Sequence, residues 1–219
     1  MYFVKTPGMF RHFFSKMLWR VPADEKVLFL TFDDGPVPEV TPWVLQQLEA
    51  YEARATFFCV GDNVRKHADL YQMVCAQGHT VGNHTFHHLN GWETEADVYL
   101  ENAEQCRSLV DSPFFRPPYG RLTPSQSQSL VRAGYELVMW DVLSADFDRK
   151  LTGQQVFDNV RRHAMKGSVV VFHDSIKAWD RLEYALPATL AYFASQGYRF
   201  GGLDEVSSPA CKATEAGCV

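Results

Sequence analysis

Short apolar runs rich in β-branched and aromatic residues recur along the chain, separated by longer stretches whose apolar positions return at helical spacing. The strand candidates are "VLFLTF" (27–32), "ATFFCV" (55–60), "TVGN" (80–83), "FFR" (114–116), "ELVMWDV" (136–142), "SVVVFH" (168–173) and "YRFGGL" (198–203). Between the first two, "TPWVLQQLEAYEA" opens with a Thr cap and a Pro at the first helical position. Comparable helical periods cover 63–77, 95–110, 124–133, 152–166 and 181–196.

Strand and helix in alternation predict an α/β fold around a mostly parallel sheet. About seven near-regular units, with no Gly-rich phosphate-binding turn after the first strand, favour a closed or nearly closed barrel over an open doubly wound sheet. At 219 residues and 46% hydrophobic, the chain has one sizeable core and no composition break, so residues 26–206 read as one domain. The segment 1–25 precedes it, and the small polar residues of 207–219 predict a disordered tail.

In the first segment, Phe10, Phe13, Phe14, Met17, Leu18 and Trp19 are interrupted by Arg11, Lys16 and Arg20. The basic residues break every apolar run, which argues against both a cleavable signal sequence and a membrane span. Two readings stay open: residues 9–20 lie as an amphipathic helix on an anionic membrane surface, or they close one end of the fold. The expected location is cytoplasmic or peripheral to the membrane.

Charge and cysteine content narrow the function further. A net charge of -5 provides no broad basic field, so no nucleic-acid partner is expected. Cys59, Cys75, Cys106, Cys211 and Cys218 form neither a CxxC pair nor a disulfide framework, which fits a reducing compartment.

The candidate chemistry gathers at one end of the predicted strands. Asp33 and Asp34 follow the first, His84 and His88 the third, Arg116 ends the fourth, Asp146 follows the fifth, and His173 ends the sixth. Barrels of this kind build their active sites from the carboxyl ends of several strands. His84 and His88, four apart, would face one way on a helical turn. With a carboxylate from "TFDD" they make a two-His, one-carboxylate set that leaves positions open for water and substrate. His87 between them is expected to point away or to make a supporting hydrogen bond. Arg116 can hold a buried carboxylate ionised. The prolines of "FRPPYG" can fix the Tyr119 N–H toward a developing oxyanion. Asp146 is the candidate to bind the far nitrogen of His173 and keep it protonated.

The set "TFDDGP", "HTFHH", "RPPYG" and "FHD", in this order, resembles the polysaccharide deacetylases of carbohydrate esterase family 4 over roughly residues 26–205. The resemblance implies a distorted (β/α) barrel and metal-dependent removal of N-acetyl or O-acetyl groups from sugars. It implies Asp33 as catalytic base, Asp34, His84 and His88 as ligands of one divalent metal, and Arg116 as the group that orients Asp33. Tyr119 then lends its amide to the oxyanion, and His173 is the general acid, supported by Asp146. Zinc is the expected metal, with cobalt, nickel, manganese or iron able to replace it. An acetylated carbohydrate is the expected partner, with Tyr119, Trp140 and Phe147 as candidate substrate contacts. One motif departs from the family pattern: in "LSADF", Leu143 stands for an aspartate and Phe147 for a tryptophan. Two other classes remain as alternatives, a non-haem metal oxygenase with the same ligand set and a sugar-binding domain without catalysis.

Overall fold

A computed structural model describes residues 2–14 and 16–206, so the 207–219 tail with Cys211 and Cys218 lies outside the described residues. The strands are β1 (Val27–Asp33), β2 (Thr56–Cys59), β3 (Thr80–Asn83), β4 (Phe114–Phe115), β5 (Glu136–Leu137), β6 (Val142–Leu143), β7 (Val169–His173) and β8 (Arg199–Phe200). The helices are α1 (Gly8–Phe13), α2 (Thr41–Glu49), α3 (Gly61–Lys66), α4 (Ala68–Ala76), α5 (Ala96–Arg107), α6 (Pro124–Arg132), α7 (Gly153–His163) and α8 (Trp179–Ser195). All strand pairs are parallel, in the order β5-β4-β3-β2-β1-β7-β6, with β8 against the start of β1.

That order forces the sheet to curl. Laid flat, seven strands with six spacings of ~4.8 Å would separate β5 from β6 by roughly 29 Å. Yet Leu137, the last residue of β5, and Val142, the first of β6, are joined by a connection that reaches at most about 18 Å. The two edges therefore approach each other, and the expected distorted (β/α) barrel results. The first segment of the chain runs along this seam. Leu18 pairs with Val138 and Lys5 with Val142. Leu18 N donates to Leu137 O at 2.8 Å, and Met139 N donates to Leu18 O at 2.7 Å.

Three expectations from the sequence need correction. The run 136–142 is not one strand: it is split into β5 and β6 on opposite edges, because residues 138–141 cross the seam. The helix predicted over 63–77 breaks at His67, whose φ of -132° and ψ of 53° are not helical. Thr41 does not cap α2. It lies inside the first turn, where its hydroxyl accepts from Val37 N at 2.7 Å and donates to Asp174 Oδ2 at 2.6 Å.

β1 is buried along its whole length, as the central strand of a parallel sheet must be. Alternation divides its side chains between two environments. Leu28, Leu30 and Phe32 face the core under the helices, whereas Val27 and Phe29 join a separate interior cluster with Phe58, Val138 and Val169. Thr31 and Asp33 continue that interior face toward the carboxyl end, so the barrel interior changes from apolar to polar along a single strand. Phe32 is in register with Phe57 and Phe172, and its ring stacks on both at 5.0 and 6.1 Å. Among the described residues no helix is long and apolar enough to cross a membrane.

Phe32→Ala removes the middle ring of that layer from a fully buried position. It should cost about 3–5 kcal/mol of stability, read as a lowered midpoint in urea unfolding. A loss below about 1 kcal/mol would mean that neighbouring rings collapse into the space.

Candidate active site

Of the polar residues singled out in the sequence, Asp33, Asp34, His84, His88, Tyr119 and His173 line a cleft of about 740 Å³ at the carboxyl ends of the strands, and Arg116 and Asp146 are buried behind it. Asp33 is the last residue of β1 and almost fully buried. Asp34 has left the strand, with φ at 83°, a left-handed value that turns its side chain away from Asp33's direction. The chain can then bend sharply because the next residue is glycine: a Cβ on Gly35 would run into the Asp174 carboxylate. Asp174 itself accepts from Gly35 N at 3.1 Å as well as from Thr41, tying this turn to the end of β7.

Arg116 follows β4 and has no exposed surface. Its NH1 group donates to Asp33 Oδ1 at 2.7 Å and to Thr31 Oγ1 at 2.6 Å. Its Nε and NH2 groups donate to Val138 O at 3.3 Å and to Met139 O at 3.0 Å. The guanidinium carbon lies 4.0 Å from the centre of the Phe58 ring. A buried charge needs this degree of satisfaction, and the partners leave the guanidinium no freedom to turn away from Asp33.

His84 and His88 do converge, but no helix brings them together. They lie in the loop after β3, where Thr85 and His88 both have left-handed φ, 60° and 55°. Asn83 Oδ1 accepts from Thr85 N, Thr85 Oγ1 accepts from Leu89 N, and Asn102 Oδ1 accepts from the amides of Phe86 and His87. The loop is thus pinned by side chains rather than by a helical ladder. His87 turns outward, its Nδ1 2.8 Å from Asn102 Nδ2.

One ligand atom each from Asp34, His84 and His88 lie within 4.8 Å of one another. His88 Nε2 is 3.1 Å and His84 Nε2 3.9 Å from Asp34 Oδ1. His84 Nδ1 is 2.7 Å from the carbonyl of Arg116, an arrangement in which Nδ1 carries the proton and Nε2 is left as a lone-pair donor. Burial pushes the His84 pKa down to about 4, against the opposing charge of Asp33, so the ring is neutral near pH 7. Burial opposes ionisation of Asp34, but the hydrogen bond to His88 and the charge of His173 outweigh it and hold the carboxyl well below the usual range. Two imidazoles and an ionised carboxylate are the donor set of a divalent ion, and the cluster fits one.

On the other side of Asp33, the register of β1 with β7 places His173 next to it. His173 Nδ1 is 2.7 Å from Asp146 Oδ1, and the His173 backbone N donates to Asp146 Oδ2 at 2.8 Å. Burial lowers the His173 pKa, but the Asp146 charge and hydrogen bond, joined by Asp34 and Asp33, outweigh this and raise it to about 10. Arg181 Nε donates to the backbone oxygen of Asp146 at 2.7 Å and fixes the loop that carries it. Phe147 sets its ring edge-on to His173 at 5.4 Å.

Tyr119 has a left-handed φ of 59°. The amides of Gly120 and Arg121 donate to Pro117 O and Pro118 O, while that of Tyr119 has no hydrogen-bond partner among the described residues. Its ring packs on His88 at 4.7 Å. Trp140, Phe147 and Leu143 line the same cleft.

Sequence reasoning missed several residues that organise this site. Asp174 was visible in "FHD", where alternation turns it to the face of β7 opposite His173. Asn63, whose Nδ2 donates to Asp34 O at 2.8 Å, and Asn102 carried no sequence signal, since their partners are distant or in a loop of unpredicted shape. Tyr2, Phe3, Phe10 and Trp19 also line the cleft, from a segment whose apolar residues pointed only to a membrane face or to a cap.

Fold and site together define an α/β-barrel protein whose candidate reaction centre sits at the carboxyl ends of its strands. The family model described as "Polysaccharide deacetylase" matches residues 20–138, more than half of the chain. The chain is 35% identical over 195 residues to a peptidoglycan-N-acetylglucosamine deacetylase of Bacillus cereus, covering 86% of this chain and 91% of that protein. It is 29% identical to the Bacillus subtilis peptidoglycan-N-acetylmuramic acid deacetylase PdaA, over 83% of this chain and 72% of that one. Other curated relatives are longer, and the chain spans 58% and 39% of two of them. A crystal structure of a peptidoglycan N-acetylglucosamine deacetylase in complex with 4-naphthalen-1-yl-N-oxidanyl-benzamide superposes with a TM-score of 0.83 at 26% identity, covering 91% of this chain and 96% of that one. The chain belongs to the polysaccharide deacetylase family.

The geometry separates the two adjacent aspartates. Asp34→Asn should lose a stoichiometric divalent ion, because a neutral amide is a weak ligand, whereas Asp33→Asn should retain it. Elemental analysis of the two purified variants decides this, and equal loss in both would mean that Asp33 is also a ligand.

Proposed function

We propose that the protein removes acetyl groups, N-acetyl groups above all, from a carbohydrate by hydrolysis at one divalent ion held by Asp34, His84 and His88. One observation carries this reading: beside that donor set stand, as neighbours in the register of β1 and β7, a carboxylate locked by a buried arginine and a histidine locked by a buried aspartate. The names of the relatives support a hydrolase of N-acetylated sugars and point to peptidoglycan-type glycans. A zinc ion, or another divalent transition ion in its place, would polarise the acetyl carbonyl and make a water acidic enough to ionise near neutral pH.

The chain's own residues then divide the proton work. Asp33, held by Arg116 and Thr31, takes the proton of the attacking water as the general base. The Tyr119 N–H, left without a partner by its turn, donates to the developing oxyanion. His173, charged because Asp146 raises its pKa, gives its proton to the departing nitrogen. An amide needs such a donor more than an ester does, since an unprotonated amine anion is a very poor leaving group. A non-haem oxygenase would have no use for the Asp33–Arg116 and His173–Asp146 pairs.

Asp33→Asn keeps the shape of the base but cannot accept a proton. Acetate release from N-acetylated glycans should fall by roughly two or more orders of magnitude with the ion retained. Full activity in that variant would remove Asp33 from the mechanism. Activity at the alkaline side should be lost as pH rises through the pKa of His173, since only its protonated form donates. The raised pKa also means that the pair with Asp146 stabilises the fold fully below the ordinary imidazole range and loses this as pH rises toward about 10. Asp146→Asn removes the raising charge, so the alkaline limb of the rate profile should move to lower pH. An unmoved limb would assign the acid to another group.

A further inference from the structure

One wall of the cleft comes from a part of the chain that the family model does not reach: Tyr2, Phe3, Phe10 and Trp19 all precede residue 20. This arm is held by the fold, residue by residue. Lys5 pairs antiparallel with Val142, Leu143 N donates to Val4 O at 2.8 Å, and Thr6 N donates to Asp141 O at 3.0 Å. Thr6 Oγ1 donates to Trp140 O at 2.7 Å, and Lys5 Nζ reaches the buried Asp141 carboxylate at 2.6 Å. The arm thus pairs with the edge at β6 through an isolated bridge and the hydrogen bonds of Val4 and Thr6, with Tyr2 and Phe3 just before this stretch and Phe10 in α1 just after it.

The arm is also continuous with the acid. The Tyr2 hydroxyl donates to Asp148 Oδ2 at 2.6 Å, and its ring meets Phe147 edge-on at 5.3 Å. Phe147 in turn meets His173. Phe3 and Phe10 face each other at 6.1 Å and remain 56% and 39% exposed, although both border a concave cleft rather than an outer face. Apolar rings exposed on a cleft are suited to the C–H faces of pyranose rings, which are apolar while their edges carry hydroxyl groups that the cleft's polar residues can meet.

We propose that the arm is a sugar-stacking wall: Tyr2, Phe3 and Phe10 bind further units of an N-acetylated oligosaccharide beside the unit at the candidate reaction centre. This rests on the deacetylase reading and deepens it, for it assigns to a segment outside the family model the binding of the sugar units next to the one that is deacetylated. Binding energy gathered by the arm, remote from the acetyl group, then serves to place that group against Asp33 and His173. Met9, Phe13 and Phe14 of the same segment are exposed away from the cleft, whereas Tyr2, Phe3 and Phe10 line it beside the candidate reaction centre, and that place argues for the glycan at these three rings.

Two measurements test it on the full-length protein. The first compares kcat/KM for N-acetylglucosamine oligomers from monomer to hexamer in the wild type, Phe3→Leu and Phe10→Leu. Leucine keeps the apolar bulk and the fold but has no flat face. The wild type should prefer the hexamer, and each variant should reduce the hexamer-to-monomer ratio by roughly three- to tenfold, mainly through KM. An unchanged ratio, or an equal fall for monomer and hexamer, overturns the wall. The second is calorimetric binding of the hexamer to the same proteins, which does not depend on turnover. Weaker binding in the variants supports the wall even if no acetate is released, a result that would instead sink the deacetylase reading. Absence of hexamer binding to the wild type, or loss in the variants only of binding to anionic lipid vesicles, refutes the wall.

Discussion

A guanidinium sealed inside a protein must be met by acceptors on every side, and Arg116 meets this demand by tying together parts of the barrel that are far apart in sequence. It reaches Thr31 and Asp33 on β1, lies on Phe58 from β2, and donates to the carbonyls of Val138 and Met139 where the chain crosses the seam. Its own carbonyl faces His84. Removing one member of such a buried pair commonly costs about 3–5 kcal/mol, because a charge is left without a partner. Barrel closure, the position of Asp33 and the orientation of His84 therefore share one constraint.

Around that constraint the site separates tasks by backbone geometry. Asp33 stays on the strand and points into the barrel interior, and Asp34, one residue on, has left-handed φ and faces the histidines. Thr85, His88 and Tyr119 have the same kind of backbone, so several residues of the site are held in conformations that ordinary side chains adopt rarely. Buried side chains hold them there: Asn83 and Asn102 under the histidine loop, and Asp174 under the turn after Asp34. Burial pushes the Asp174 carboxyl up to about 8 despite its hydrogen bond with Thr41, with the charge of Asp34 adding to the rise. The group that braces this turn is thus the reverse of Asp34, which its surroundings keep ionised.

The edges of the sheet explain why the first segment matters. A parallel barrel that fails to close leaves unpaired backbone at β5 and β6, and exposed edges invite unwanted pairing. Residues around Lys5 and Leu18 occupy those edges. Covering a seam that opens beside the candidate reaction centre also puts the covering residues into the cleft, so one segment serves both the fold and the shape of the cleft.

The sequence by itself determined the alternation of strands and helices, the end of the barrel at which the polar residues meet, and the pairing of Arg116 with a buried carboxylate and of His173 with Asp146. These are local properties: period-2 and helical spacing, turn chemistry after β1, and a polar residue at each strand end. The tertiary structure decided what local spacing cannot encode. It split 136–142 across two edges, since closure of the sheet depends on the distance between strands that are remote in the chain. It brought His84 and His88 together through a loop whose shape is set by Asn83 and Asn102 rather than by the helical spacing that suggested the pair. It turned Thr41 from a cap into a partner of Asp174, a contact across more than half of the chain. And it carried Tyr2, Phe3 and Phe10 to the cleft, because an edge strand pairs with whatever backbone can reach it and the side chains follow.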